Sequence, residues 1–404
     1  MTNSHGALTP RRLGIGLISA GWMGRLHSRA YLAVPDKYAD LGVIPELVIV
    51  ADPVKANTDA ARRQFGYREA TADYRDVLAH PAVQAVSICA PNYLHREFAL
   101  AAAGAGKPFW IEKPMGVSAA QAADVAQVAD AAGLVTAVGF TYRQAPAVEY
   151  AKKLIAEGAI GRVTNIHCKF DADYSADPRG ARTWRFELAK AGAGVLGDLL
   201  SHGFDLAQYL VGSPVSAVSA MTETFVKERP EPGAGTGHGV QVSDDARLLP
   251  VENEDYAAVL ARFASGVVAT FESTRVGVGS RCDYGVQVHG TAGAIGWNFE
   301  RLNEIAICSA PSSRDYGYAR ELSDHRFGDF ARFQPGAGMG LSFDDLKTIE
   351  GARFIQSVTS GSQLAPSVAD ALATSQIAAA AQQSVKSGAW VSVPAPTGKT
   401  TFDR

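Results

Sequence analysis

The stretch from Gly192 to Asp205 brings together two side chains that are suited to acid–base chemistry. It reads GAGVLGDLLSHGFD, and Asp198 precedes His202 by four residues. On an α-helix, residues four apart share one face, with about 6 Å between them. A carboxylate at that distance orients an imidazole and favours its protonated form. The pattern therefore predicts a helix that carries a proton-transfer group, and the glycines before it allow a flat molecule to approach the backbone.

A lysine between an acid and a proline is the second candidate for chemistry. Lys113 lies in Glu112-Lys113-Pro114, directly after the apolar run at positions 108–111. A lysine at the end of a strand can donate a hydrogen bond to a substrate hydroxyl and stabilise the negative charge that develops there. An ordinary Glu–Lys surface pair is the alternative interpretation, and it is the more common one for this tripeptide alone.

The first third of the chain has the order of a dinucleotide-binding unit. An apolar strand at 13–18 leads into a glycine turn and a helix, and a second apolar run at 46–51 ends at Asp52. Such a turn lets a pyrophosphate meet backbone N–H groups at the start of a helix. The first fingerprint glycine is replaced by serine, so a plain strand–turn–helix stays an alternative. The expected cofactor contacts in the turn are Ser19, Ala20, Gly21, Trp22 and Met23.

The acidic residue after the second strand bears on the choice of cofactor. We expect Asp52 to accept hydrogen bonds from the hydroxyls of the adenosine ribose. Its charge opposes a 2′-phosphate, which favours NAD over NADP. Lys55 and Arg62 lie nearby and weaken that preference, so NADP remains possible.

Strands and helices go on alternating up to residue 143, which predicts a parallel sheet covered on both faces. Ligands bind at the carboxyl ends of such strands. Three strand ends here carry polar residues. The candidate site residues are Ala90, Pro91, Asn92 and His95 at the first strand end, Glu112 and Lys113 at the second, and Tyr142 and Arg143 at the third. The alternative for His95 is a buried histidine whose hydrogen bonds are satisfied within the protein.

From residue 163 the pattern changes to strands with in–out alternation and glycine-rich turns, which predicts a large, mostly antiparallel sheet. The fold class is therefore α/β, with a doubly wound Rossmann sheet followed by an α+β domain with an open sheet. The predicted boundaries are a disordered tail at 1–10, a dinucleotide-binding domain at 11–143, and a substrate-binding and oligomerisation domain at 144–404. Two long irregular segments, 228–253 and 310–340, interrupt the second domain without an assigned role.

An aromatic and basic group precedes the acid–base helix. Its members are Tyr174, Arg182, Trp184 and Arg185. A tryptophan face with nearby arginines suits a sugar ring, or the edge and phosphates of a nicotinamide cofactor. A partly buried hydrophobic anchor with solvated arginines explains the same residues equally well.

The composition excludes several functional classes. The chain has 404 residues, 47% of them hydrophobic, and a net charge of −3, so neither nucleic acid nor an anionic membrane is an expected partner. We expect neither a signal peptide nor a membrane-spanning run, and the four scattered cysteines fit a reducing cytoplasm. No cluster has metal-ligand spacing, so no metal is expected.

Four segments together carry a specific resemblance: ISAGWMGRLH, APNYLH, EKP and GAGVLGDLLSHGFD. The chain resembles the glucose–fructose oxidoreductase / inositol dehydrogenase / MocA family from about residue 12 to 393. Three further segments resemble its longer sugar-dehydrogenase branch: SADP…TWRF at 175–186, YLVG at 209–212 and GMGLSFDDLK at 338–347. The resemblance implies NAD(P)-dependent hydride transfer to or from a secondary alcohol of a sugar, anhydrosugar or cyclitol. It implies that Lys113, Asp198 and His202 form the catalytic group. From their positions at a strand end and before the acid–base helix, we expect Tyr142, Arg143 and Tyr174 to contact the substrate. The open sheet is implied as the interface of a homo-oligomer, either a dimer or a tetramer.

Some residues depart from the family pattern, and other functions stay open. Ser19 replaces a turn glycine, while Ala193 and Leu200 stand where glycines are common in the helix motif. The alternatives are a non-catalytic regulator that senses dinucleotides, an NAD-assisted glycoside hydrolase, and a ketone reductase that uses NADPH. Which of Lys113 and His202 makes the direct proton transfer is also open.

Overall fold

The computed structural model describes residues 10–233, 240–309 and 317–402. The predicted disordered tail at 1–10 lies outside these residues except for Pro10. Within the described residues, none of the helices combines the length and hydropathy needed to cross a bilayer.

Seventeen strands are present in the described ranges: β1 Arg11–Ile18, β2 Val43–Ala51, β3 Glu69–Thr71, β4 Ala85–Ile88, β5 Phe109–Ile111, β6 Thr136–Val138, β7 Val163–Ala172, β8 Val215–Glu223, β9 Glu228–Pro230, β10 Leu248–Pro250, β11 Tyr256–Phe263, β12 Val268–Thr274, β13 Cys282–Gly290, β14 Gly293–Asn298, β15 Glu304–Ser309, β16 Ala319–Leu322 and β17 Val391–Ser392. The same ranges hold twelve α-helices: α1 Trp22–Lys37, α2 Lys55–Phe65, α3 Tyr74–Ala79, α4 Asn92–Gly104, α5 Ala119–Ala131, α6 Pro146–Ala156, α7 Leu188–Ala191, α8 Val195–Asp198, α9 Leu200–Val211, α10 Phe330–Phe333, α11 Phe343–Ser360 and α12 Val368–Ser387.

The first sheet is a six-stranded parallel sheet of order β3-β2-β1-β4-β5-β6. Its central strand β1 is apolar and buried from Leu13 to Ile18, as expected for a strand with helices on both faces. The strand order reverses between β1 and β4, and in such folds a crevice opens at that point beyond the carboxyl ends of the strands. The predicted Rossmann sheet is confirmed, and the ends of β1, β4, β5 and β6 lie where a ligand site is expected.

The second sheet has nine strands in the order β16-β15-β14-β13-β7-β12-β11-β8-β17, and only the β7–β12 pair is parallel. Its burial alternates along each strand: in β12, Ala269 and Phe271 are buried, while Val268 and Thr270 are exposed. Helices α9 and α12 cover one face. The other face is open, as predicted for a mostly antiparallel sheet.

The last two helices return to the first sheet, although they lie within the range predicted for the second domain. Helix α11 packs along α1, and α12 packs against α5. The backbone N–H of Val138 donates to the carbonyl of Pro366 at 2.8 Å, which ties the end of β6 to the link between these helices. Side chains of both parts of the chain therefore reach one cleft.

The described parts of the two irregular segments contain short elements that composition did not predict. Strands β9 and β10 pair inside the first segment. In the second, Phe327 stacks on Tyr150 with ring centroids 4.3 Å apart, and Phe333 meets Tyr38 edge-on. These aromatic side chains pack against the ends of other helices and do not line the cleft described below.

Candidate active site

A cleft of about 880 Å³ lies between the two sheets. Most of the predicted site residues line it, and Asp52 and Arg143 are the two exceptions. The predicted residues in the wall are Ser19, Ala20, Gly21, Trp22, Met23, Ala90, Pro91, Asn92, His95, Glu112, Lys113, Tyr142, Tyr174, Trp184, Arg185, Asp198 and His202. Residues that sequence reasoning did not assign also line it: Arg25, Arg29, Asn57, Cys89, Gly139, Thr141, Phe170, Leu199 and Phe343.

The glycine turn fits a dinucleotide. Gly21 caps the sixteen-residue helix α1, no side chain caps its N-terminus, and its first turn has no acidic residue, so backbone N–H groups face the cleft. A Cβ at Gly24 would lie 2.2 Å from the carbonyl oxygen of Ser19, whereas one at Gly21 would meet nothing within 4 Å. Ser19 takes the left-handed conformation (φ 75°) that a glycine adopts without strain. The turn therefore keeps the fingerprint geometry despite the serine.

The predicted contact of Asp52 with the cofactor ribose stays a prediction, and in this structure the carboxylate is engaged by protein groups. Its Oδ2 accepts a hydrogen bond from the backbone N–H of Ala20 at 2.8 Å, and its Oδ1 accepts from Val54 and Asn57. The side chain is buried and does not line the cleft. A buried carboxylate needs such donors, and the nearest ones belong to the turn itself. In this structure Asp52 holds the glycine turn in place.

Lys113 and Asp198 join the two parts of the chain. The Lys113 ammonium donates to the backbone carbonyl of Asp198 at 2.7 Å and to its Oδ1 at 3.0 Å. Tyr174 donates its hydroxyl to Asp198 Oδ2 at 2.9 Å. Burial acts to raise the pKa of Asp198, but the positive charges of Lys113 and Arg185 outweigh it and hold the pKa below its usual range. Asp198 is therefore an ionised anchor for the lysine.

The predicted pairing of Asp198 with His202 is wrong, because the helix breaks between them. Helix α8 ends at Asp198 and α9 begins at Leu200. The N–H of His202 donates to the carbonyl of Leu199, three residues back, at 3.1 Å. The Asp198 carbonyl is thereby released from the regular helical pattern, and Lys113 occupies it. No hydrogen bond joins the Asp198 and His202 side chains in the described part of the chain.

His202 is surrounded by aromatic rings. It is 8% exposed, and its ring centroid lies 4.7 Å from that of Tyr142 in an edge-on contact. Phe140 and Phe170 lie about it at 6.2 and 6.1 Å. Burial, and then the charge of Lys113, lower the pKa of His202 well below its ordinary value, although Glu112 and Asp198 act in the opposite direction. The imidazole is therefore held neutral: Asp198 favours the imidazolium, as predicted, but burial and the charge of Lys113 outweigh its effect.

Arg143 does not contact the substrate cleft. It is 4% exposed, and its guanidinium donates to both carboxylate oxygens of Asp205. Asp370 of α12 and Thr401 complete the pocket around it. Its neighbour Tyr142 does line the cleft, because side chains at consecutive positions point in different directions. The prediction placed both at the same strand end, and only Tyr142 reaches the site.

Glu112 and His95 lie in the wall, but their polar atoms are engaged by protein groups. Glu112 accepts from the ring of His27 at 2.9 Å and from the ammonium of Lys347 at 2.5 Å. The ring nitrogens of His95 lie 2.7 Å from the Pro114 carbonyl oxygen and 2.6 Å from that of Ala90. Both residues therefore brace the segment that carries Lys113.

Trp184 and Arg185 form one rim of the cleft. The guanidinium of Arg185 lies 4.5 Å from the ring centroid of Trp184, and Tyr93 meets that ring edge-on. The charge of Arg185 also acts on Asp198. A cationic group over an aromatic face is suited to a polar ring or a phosphate.

Of the residues that sequence reasoning missed, Phe343 had the clearest signal. Ser342 and Asp345 form a capping box, which marks the start of α11 and places Phe343 in its first turn. The capping box predicts where α11 begins, but it does not predict that the N-terminus of α11 lies beside the cleft. Phe170 lies in the alternating pattern of β7, where an inward phenylalanine reads as core.

Comparison with known proteins agrees with this architecture. A family model described as an oxidoreductase family with an NAD-binding Rossmann fold matches residues 13–140, and one described as a GFO/IDH/MocA C-terminal domain matches residues 148–296. The chain is 34% identical to levoglucosan dehydrogenase of Pseudarthrobacter phenanthrenivorans over 95% of its own length and 99% of that protein. It is 26% identical to inositol 2-dehydrogenase of Rhizobium meliloti over 94% and 98% of the two chains.

Solved structures give the same result. A levoglucosan dehydrogenase in complex with NADH and levoglucosan aligns with a TM-score of 0.89 at 34% identity, covering 95% of this chain and 100% of the other. The apo form aligns with a TM-score of 0.91 at 33% identity over 96% and 100%. The chain therefore belongs to the glucose–fructose oxidoreductase, inositol dehydrogenase and MocA family, and it is an oxidoreductase with an NAD-binding Rossmann domain.

Proposed function

We propose that this protein is an NAD-dependent dehydrogenase that oxidises a secondary alcohol of a sugar, anhydrosugar or cyclitol. The observation that carries the proposal is the meeting of Lys113, from the first sheet, with Asp198 and His202, from the second part of the chain, in the cleft that the glycine turn also lines. The names of the relatives, which are levoglucosan and inositol dehydrogenases, support the substrate class.

Lys113 is placed to hold the reacting oxygen. An ammonium has three N–H donors, and the two contacts with Asp198 use two of them. The third is available to a substrate hydroxyl, where it stabilises the oxygen as the carbonyl forms. Asp198 fixes the direction of this donor, and Tyr174 fixes Asp198.

His202 is the general base in this proposal. Its neutral imidazole can accept the hydroxyl proton, and the aromatic rings around it limit access of water. NAD, when bound, would supply the acceptor for the hydride of the carbinol carbon. The products are then a ketone, NADH and a protonated His202, which returns its proton to solvent.

The alternatives are less well supported. A regulator without catalysis has no need for the ordered contacts among Lys113, Asp198 and Tyr174. An NAD-assisted hydrolase would use the same cofactor-binding fold. The products of the reaction, and not the architecture, therefore distinguish it from a dehydrogenase.

The open face of the second sheet supports a homo-oligomer as a separate proposal. Met221, Leu260 and Val268 lie on the neighbouring strands β8, β11 and β12 and are 43–60% exposed. They belong to the open sheet face, where residues of seven strands line a concave region of about 910 Å³. An apolar sheet face of this kind is typical of a protein–protein interface.

The first prediction concerns the reaction itself. With NAD⁺ and a panel of monosaccharides, anhydrosugars and inositols, the protein should produce NADH in proportion to substrate consumed, measured as absorbance at the NADH band. Sugar cleavage without net NADH would favour the hydrolase, and binding of NADH without turnover of any member would favour the regulator.

The second prediction concerns the two central side chains. Lys113→Ala or His202→Ala should lower kcat about 10²–10⁴-fold, because each removes a group that acts on the reacting oxygen. NADH binding, measured by fluorescence, should persist in both. Lys190→Ala is the matched control, because Lys190 pairs with Glu187 outside the cleft wall. Turnover near the wild-type value in both cleft variants would reject these roles.

The third prediction follows from the lowered pKa of His202. A base with a depressed pKa stays neutral until the pH falls below its ordinary range, so kcat/KM for alcohol oxidation should hold down to about pH 6.5 and fall only below it. The measurement is a pH–rate profile with subsaturating sugar. An acid limb centred above the ordinary histidine pKa would contradict the assignment.

The fourth prediction tests the interface. Leu260→Asp should shift the molar mass, measured by light scattering, from that of the oligomer towards 42.6 kDa, because it puts a charge into the apolar sheet face. Leu248→Asp is the matched control, since Leu248 is equally exposed but lies on β10. A wild-type protein that is monomeric at all concentrations would contradict the proposed homo-oligomer.

A further inference from the structure

A buried cation lies beneath the cleft, in a part of the chain that the proposed reaction does not use. Lys347 of α11 is fully buried, and its ammonium lies 2.5 Å from Glu112 Oε1 and 3.1 Å from Glu350 Oε2. It also lies 5.4 Å from the ring centroid of Trp110. An ammonium without water is costly unless carboxylates surround it, so both of these partners are needed to hold it.

The two carboxylates connect this cation to both sides of the cleft. Glu112 directly precedes Lys113 in the chain. Glu350 accepts a hydrogen bond from Trp110 Nε1 at 2.8 Å and from the Thr141 hydroxyl at 2.9 Å, and Thr141 directly precedes Tyr142. The ends of β5 and β6 are thereby tied to one helix that enters from the far end of the sequence.

The residues around Glu112 pack closely against its carboxylate. A Cβ at Gly139 would lie 2.5 Å from a Glu112 carboxylate oxygen, so the end of β6 presses directly on the carboxylate. His27 of α1 stacks on Trp110 with ring centroids 3.4 Å apart and shares Glu112 Oε1 with Lys347. Loss of the cation would leave Glu112 buried without its main partner, next to Lys113.

Resting on the proposed function, we propose that Lys347 is a positioning residue for the dehydrogenase. Its ammonium, held between Glu112 and Glu350, fixes the two strand ends that present Lys113 and Tyr142 to the substrate. It acts through these neighbours, because it lies beneath the cleft wall and does not line it.

The charge of Lys347 acts on the pKa values of two histidines, and a loss of packing without a loss of charge would leave this effect in place. Burial, and to a smaller extent the charge of Lys347, lower the pKa of His27 to about 4, while Glu112 acts to raise it. The charged groups that act on His202 are Lys113, Glu112, Asp198 and Lys347, and the last of these lowers the pKa of His202. Without Lys347, both histidines should therefore titrate at higher pH.

The test compares Lys347→Met with Arg353→Met. The first removes the ammonium and keeps an unbranched side chain of similar length. The second removes an ion pair with Glu149 from the same helix α11, away from the cleft. Steady-state kinetics use NAD⁺ with levoglucosan, or with the sugar that the panel identifies, and NMR of ¹⁵N-histidine-labelled protein follows the titration of His27.

For Lys347→Met we expect kcat to fall by about 10–100-fold, because small displacements of reacting groups have costs of this size, while KM for NAD⁺ stays within about threefold. The His27 titration should move up from about 4, and Arg353→Met should change neither quantity. A folded Lys347→Met protein with kcat near the wild-type value, or an equal loss of kcat in both variants, would overturn the proposal.

A second variant covers the case in which Lys347→Met does not fold. Glu350→Gln removes the carboxylate beside Lys347 and keeps one acceptor oxygen, for Trp110 Nε1, while its amide N–H can donate to the Thr141 hydroxyl oxygen. A lowered kcat with a wild-type unfolding midpoint supports the proposal, and an unchanged kcat overturns it. The His27 titration needs no substrate. If the wild type oxidises no member of the panel, the proposed function fails, while an unmoved His27 titration in Lys347→Met rejects the charge network itself.

Discussion

The candidate site depends on the contact between the Lys113 ammonium and Asp198. This contact is made twice, to the backbone carbonyl and to the carboxylate, and it joins the end of a Rossmann strand to a helix of the second part of the chain. It is possible only because the helix breaks at Leu199 and releases the carbonyl that a regular helix would use internally. One local irregularity thus provides the acceptor that fixes the direction of the lysine and leaves a donor for substrate.

The same contact accompanies a difference in charge state between Asp198 and His202. Asp198 stays ionised next to a cation, and His202 stays neutral in an aromatic environment. In the proposed reaction, His202 is the neutral base and Lys113 is the fixed hydrogen-bond donor beside it. A second set of buried charges lies beneath the cleft wall, where Lys347 contacts both Glu112 and Glu350. These contacts hold the ends of β5 and β6 in the proposal above.

The sequence predicted the fold well because its signals are local. Apolar runs and glycine turns predicted the strand at 13–18, the run that ends at Asp52 and the change to strands from residue 163 close to where the structure has β1, β2 and β7. The family resemblance predicted that Lys113, Asp198 and His202 form one group, and all three line the same cleft. The strand-end rule placed Tyr142 in the cleft correctly.

What sequence could not predict depends on orientation and on distant partners. The four-residue spacing of Asp198 and His202 is that of an unbroken helix, so it predicted a pair that the break removes. Asp52 and Arg143 lie at the predicted strand ends, but Asp52 turns towards Ala20 and Arg143 towards Asp205. Lys347 pairs with a residue 235 positions away, and no local pattern in an amphipathic helix marks a lysine as buried.

The most direct test of the central claim is a crystal structure of the protein with NADH and levoglucosan, or with the sugar that it oxidises. The account predicts that one hydroxyl oxygen lies within about 3.2 Å of both the Lys113 ammonium and a ring nitrogen of His202, with the carbon that bears it facing the nicotinamide. A sugar bound with these two groups on different hydroxyls, or outside the cleft, would contradict it.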